Sequence, residues 1–232
     1  MIFYIFNDNT FATRGYTWAW SMMPTPEEFS RRCPKCRAGM SVEYPKHSIN
    51  LAVEGGSKYP DILGCGAETI LIVSQNVIND WEGAGITGYE KYDVNIVEAK
   101  GKRIKDAEPP RYYHINVIGR AEYDMEAMGF KCQITCEYCG RIEVTNPNDE
   151  LHPLDPTIIK EGSWDGSDIF AMDITPRKTY CMEKVLFLAG INERTNFYFA
   201  PLERTGDVNF RGLDYRSMAK KMARNNEIPL QR

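Results

Sequence analysis

Residues 69–97 read TILIVSQNVINDWEGAGITGYEKYDVNIV, and three signals follow one another along them. Thr69 to Val73 is a β-branched and aliphatic run, the mark of a buried strand. Ser74 stands where a helix N-cap belongs. Val77, Ile78 and Trp81 recur at helical spacing and give the next segment one apolar face. Gly83 and Gly85 end it. Tyr92 to Val97 then alternates as a second strand. The stretch predicts a strand–helix–strand unit.

A similar unit recurs late in the chain. Ile169 to Met172 reads as a strand. Thr175-Pro176 supplies an N-cap and a first-turn proline. Cys181, Met182, Val185, Leu186 and Leu188 line the expected helix, Ala189-Gly190-Ile191 ends it, and Phe197 to Ala200 returns as a strand. The first helix is followed by Ala84-Gly85-Ile86, and the second is expected to be longer by about one turn, roughly four residues. Internal duplication accounts for the shared ending, and so does coincidence. Further strands are expected at residues 1–6, at Tyr16 to Trp20 and at Tyr112 to Ile118. A helix with basic residues toward its C-terminal end is expected from Tyr215 to Ala223. Residues 145–167 are rich in Pro and Gly and read as loop. The pattern is α+β: a mixed sheet with two strand–helix–strand units in one domain spanning 1–232.

Composition agrees with a folded domain. Of 232 residues, 43% are hydrophobic and 26% charged, which is ordinary globular usage. The formal charge of −4 argues against nucleic acid as the main partner, because phosphate binding needs a strongly basic surface. No apolar run reaches membrane-spanning length. The opening MIFYIFNDNTF lacks a basic leading region and is not a secretory signal. A cytoplasmic, reducing location is therefore expected.

Seven cysteines are present: Cys33, Cys36, Cys65, Cys132, Cys136, Cys139 and Cys181. An odd number in a reducing compartment fits metal ligation plus spare thiols better than a disulfide framework. Cys33-Pro-Lys-Cys36 and Cys136-Glu-Tyr-Cys139-Gly140 each have the spacing of a zinc knuckle. Together they offer four thiolates, a closed and therefore structural Zn2+ site, because catalysis needs an open coordination position. The knuckle subregion spans about residues 30–40 and 130–142. About a hundred residues separate the pairs, far more than the ~15–20 of a compact zinc ribbon, so the metal would staple distant parts of the chain. Redox dithiols, metal-free cysteines and substitution of Cys132 for one ligand remain alternatives. Cys65, between two glycines, reads as a loop or core thiol, and Cys181 reads as core.

Signs of an active site are sparse, so no enzyme is expected. His47, His114 and His152 form no hydrolase pattern, and His114 lies within a strand pattern as a structural residue. Gly83-Ala-Gly85 is too short for a phosphate loop and lacks its lysine. Asp165, Asp168 and Asp173 suit turns and strand ends better than a calcium loop.

The two knuckles, with the chain between and after them, resemble the double-CXXCG motif family of soluble bacterial proteins of similar length. The likeness includes the first strand Met1-Ile2-Phe3-Tyr4, the Cys-Pro-x-Cys at 33–36, the helix ending at Gly85-Ile86, and the segment Gly166-Ser-Asp168-Ile169-Phe170 with the helix and strand after it. It extends to about residue 202, and its specific motifs are the knuckles and the Asp-Ile-Phe segment. Where the family's first knuckle ends in Gly, this chain has Arg37. The resemblance implies an immunity protein, one that binds a cognate toxin stoichiometrically, the toxin being encoded by the adjacent gene. A second expectation is a zinc-ribbon protein associated with nucleic acid, suggested by Arg31, Arg32, Lys35 and Arg37 beside one knuckle and Lys131 and Arg141 beside the other. Trp164 and Asp165 are candidate partner contacts, with Trp164 alternatively covering the edge of the core.

Overall fold

A computed structural model describes residues 2–8, 15–23, 33–37, 46–65, 70–101, 104, 108–139, 141–145, 157–174, 178–204 and 210–229. In chain order the elements are β1 (Phe3–Asp8), β2 (Trp18–Met23), β3 (Ile49–Glu54), β4 (Leu71–Ser74), α1 (Gln75–Gly83), β5 (Tyr89–Lys100), β6 (Tyr112–Val117), β7 (Gly119–Ala121), β8 (Lys131–Cys136) and β9 (Arg141–Thr145). They continue with β10 (Ile169–Met172), β11 (Tyr180–Met182), α2 (Glu183–Ile191), β12 (Phe197–Pro201) and α3 (Tyr215–Arg224). This is an α+β protein with mixed sheets.

The central strands form a five-stranded sheet in the order β2-β3-β5-β6-β4. Only β3 and β5 run parallel; the other neighbours are antiparallel. Residues 61–65 join its two edges. Ile62 bridges Val73 and Cys65 bridges Ala19, while Leu63 N donates to Ile72 O and Ala19 N to Gly64 O. The sheet is thereby closed around Ala19, Leu51, Val53, Leu63, Ile72 and Tyr112. Strand alternation puts Leu71, Val73, Tyr113 and Ile115 on the opposite face. His114 is fully buried; its Nε2–H donates to the carbonyl of His47 and its ring stacks on Tyr92.

The second sheet has the order β12-β1-β11-β10-β7. Its β11 corrects the sequence reading. Cys181 and Met182 belong to a strand, not to the helix, because Tyr180–Met182 pairs with β1 on one side and β10 on the other. Those sheet hydrogen bonds hold the segment extended, so the helix starts only at Glu183. Both helices are nine residues long, and the expected extra turn is absent. The proposed cap at Thr175-Pro176 lies outside the described residues.

The Ala-Gly-Ile match is also out of register. Gly85, at φ +64°, follows α1, and Ile86 N donates to Trp81 O. The corresponding left-handed residue after α2 is Glu193, at φ +53°, with Arg194 N donating to Ala189 O. Gly190 instead lies inside α2, where a Cβ would meet Tyr215 O at 2.4 Å; α3 packs there. The two units nevertheless share a connectivity. β4 and β5 flank the antiparallel β6, and β11 and β12 flank the antiparallel β1.

The helices and the two sheets share one core. Val77, Ile78 and Trp81 of α1 meet Val185, Leu186 and Leu188 of α2, with Tyr4 and Phe6 from one sheet and Val73 and Tyr113 from the other. Arg194, after α2, clamps Asp80 of α1 through two bonds of 2.6 and 2.9 Å. Ser74 is at the N-cap, but its hydroxyl makes no capping bond. It donates to Asp61, which also accepts from the amide and hydroxyl of Thr195. The other face of the second sheet carries Tyr123, Phe170, Met172 and Tyr180.

Candidate metal centre

The hairpin of β8 and β9 stands apart from both five-stranded sheets. Its register is Lys131 opposite Thr145 and Ile134 opposite Ile142, with an irregularity between Ile134 and Cys136. Cys136 ends β8 just after that irregularity, and the turn at residues 137–139 brings in Cys139. The first knuckle is a turn at residues 34–36. The amides of Lys35 and Cys36 point at Cys33 Sγ from 3.4 and 3.5 Å, and Arg37 N donates to Cys33 O at 2.8 Å.

Arg37 has φ +59°. This left-handed conformation is the one Gly adopts without cost and other residues do not.

The two knuckles converge. Cys33 Sγ lies 3.8 Å from Cys136 Sγ and Cys36 Sγ lies 3.7 Å from Cys139 Sγ. All four sulfurs lie within 4.8 Å of one another. A tetrahedron with Zn–S bonds of ~2.3 Å has edges of ~3.8 Å, so the donor set fits a four-coordinate thiophilic ion with little adjustment. The separations far exceed the ~2.05 Å of a disulfide. Cys33 and Cys136 are buried, Cys36 and Cys139 half-buried.

Local electrostatics prepares the sulfurs unequally. The Cys33 thiol is lowered to about 6, chiefly by the Cys36 amide and also by that of Lys35. Cys136 is lowered for the same reason, with the Cys139 amide foremost. Cys139 is pushed up to about 12, first by desolvation and then by the neighbouring sulfurs. Each knuckle therefore has one sulfur whose anionic form its own amides favour, and gathering all four as anions calls for a cation among them.

The other sequence candidates fall elsewhere. Cys65 is buried in the closed sheet and Cys181 in the shared core. Gly140 and the side chain of Cys132 lie outside the described residues, as do Arg31 and Arg32. Trp164 covers the core edge: it meets Phe3 edge-on at 5.2 Å and its indole N–H donates to Ser167 O. Asp165 accepts from the amides of Arg120 and Ser167. Asp168 binds the amide and hydroxyl of Thr87, and Asp173 accepts from Tyr123 N.

Three residues that the sequence reading passed over lie on the hairpin that carries the second knuckle. Tyr138, Ile134 and Ile142 are 61%, 63% and 42% exposed, which places an apolar surface on the hairpin that carries Cys136 and Cys139. Ile134 and Ile142 alternate with Gln133 and Glu143, but all four are exposed, so the pattern alone does not mark this surface. Lys35, Arg37, Lys131 and Arg141 are also exposed around the knuckles. Among the described residues, no helix is long and apolar enough to cross a membrane. No protein-family model and no curated protein matches this chain.

Proposed function

We propose that Cys33, Cys36, Cys136 and Cys139 hold Zn2+ as a structural staple, and that the protein is a cytoplasmic immunity protein which neutralises a cognate toxin by stoichiometric binding. The observation that carries the reading is the convergence of four sulfurs from two knuckles, which joins remote parts of the chain around a closed donor set. Bound there, the metal supplies a cross-link and no vacant coordination position. The chain's own contribution is to orient the sulfurs through the amides of Lys35 and Cys36 and to present the hairpin rigidly.

Exposed Tyr138, Ile134 and Ile142 support a docking role for that hairpin, because aromatic and aliphatic side chains at a rigid tip are what partner pockets accept. The hairpin suits docking better than Trp164 and Asp165, which the protein's own core and loop amides engage. The toxin itself enters from the family resemblance, and the adjacent gene is where it is to be sought. Co-expression with the adjacent gene product tests the reading. A one-to-one complex and protection of the host support it; free components and undiminished toxicity end it.

Exposed Lys35, Arg37 and Arg141 around the knuckles favour one alternative, a nucleic-acid-associated protein. Its signature is binding to RNA or DNA that weakens steeply with salt.

A further inference from the structure

Within the cluster, where all four sulfurs lie within 4.8 Å of one another, Cys33 faces Cys136 at 3.8 Å and Cys36 faces Cys139 at 3.7 Å, each pair bridging the two knuckles. We propose that the cluster is a redox-convertible staple, in which hydrogen peroxide replaces the metal cross-link with two disulfides, Cys33–Cys136 and Cys36–Cys139. Each pair must close by less than 2 Å to reach the ~2.05 Å bond.

The chemistry balances with the oxidant as the only co-reactant. A thiolate attacks peroxide, the O–O bond breaks, hydroxide leaves and a sulfenic acid forms. The facing thiolate then attacks that sulfur, the S–O bond breaks, a second hydroxide leaves and the S–S bond forms. Two protons convert the hydroxides to water. Two cysteines lose two electrons per peroxide, so the cluster consumes two peroxides and releases its metal.

The pairing decides the consequence. Each cross-knuckle bond spans 103 positions and keeps the hairpin tied to residues 33–37. Disulfides within the knuckles would close two tiny loops and cut that tie. The inference rests on the sulfur geometry and is independent of any toxin partner.

The test treats the purified, reduced full chain with hydrogen peroxide and digests it with trypsin and a glutamate-specific protease without reductant. Cleavage after Lys35 separates Cys33 from Cys36, and cleavage after Glu137 separates Cys136 from Cys139. Fragment spectra distinguish Cys136 from Cys132. The expected map shows Cys33 bridged to Cys136 and Cys36 to Cys139, with a melting temperature well above that of reduced, metal-free protein. Bridges within either knuckle, bridges to Cys132, or an oxidised form that melts with the reduced metal-free protein overturn the proposal. A chain found to carry no metal still answers the pairing question.

Discussion

Arg37 donates its amide to the carbonyl of Cys33 at 2.8 Å while holding φ at +59°. The bond closes the first knuckle, and the left-handed residue then turns the chain away from it. An exposed arginine thus holds a conformation that glycine adopts freely, at a conformational cost of ~1 kcal/mol.

Replacing that residue tests the cost. Arg37→Gly relieves the strain and is expected to tighten metal binding about threefold to tenfold, the equivalent of ~1 kcal/mol. Arg37→Val, β-branched at the same backbone angle, is expected to weaken it by at least as much. Chelator competition at fixed pH measures both; equal affinities for the three proteins would remove the left-handed turn from the account.

Loss of one ligand should be a local event. Cys139→Ser is expected to lower zinc affinity by more than ~100-fold, beyond what loss of a mere supporting partner costs. The core shared by Trp81, Leu186 and Phe199 contains none of the four ligands. Hydrogen exchange should therefore accelerate in β8 and β9 while the amides of β4 and β6 stay protected. Uniform acceleration along the chain would show that the staple supports the whole fold.

Gly190 offers a test of helix register. A methyl group there meets Tyr215 O at 2.4 Å and Ala219 Cβ at 2.5 Å. Gly190→Ala should destabilise the protein by ~1–3 kcal/mol through overpacking, despite alanine's better helix propensity of ~1 kcal/mol. Gly83→Ala, with open space around its Cβ position, should be neutral or stabilising in the same thermal melt. Two equal shifts would contradict the packing of α3 on α2.

His114 predicts acid sensitivity apart from the metal. Desolvation lowers its pKa beneath the ordinary 6.5, outweighing the bond to the His47 carbonyl. The unfolded chain then binds the proton more readily than the folded one, so stability falls as pH drops below about 6.5 and continues to fall until the folded pKa is passed. Melting of metal-free Cys36→Ser protein at pH 7.5 and 5.5 measures the loss. The loss should shrink when His114→Gln is added to that background; an unchanged loss would assign the sensitivity to other groups.

How far the sequence reveals this architecture varies by element. The run from Leu71 to Trp81 declares itself because the strand is buried on both faces and the helix on one, so each period is clear. Tyr180 to Met182 misleads because three residues carry too little alternation to compete with the helical pattern after them. Their strand character comes from β1, some 175 positions earlier, at Phe3 to Ile5. Closure of the first sheet by residues 61–65 is likewise invisible locally, since it depends on Val73 and Ala19 arriving from different strands. The four clustered cysteines are legible because the spacing within each knuckle is the one a tetrahedral metal asks for, and it survives any length of intervening chain. Ile134 and Ile142 are not, because alternation along a hairpin does not say which face water reaches.

Elemental analysis of the purified, reduced protein tests the central claim most directly. The account predicts about one zinc per chain, lost when Cys33 and Cys136 are both changed to Ser. A wild-type protein with no more bound metal than that double variant would contradict it.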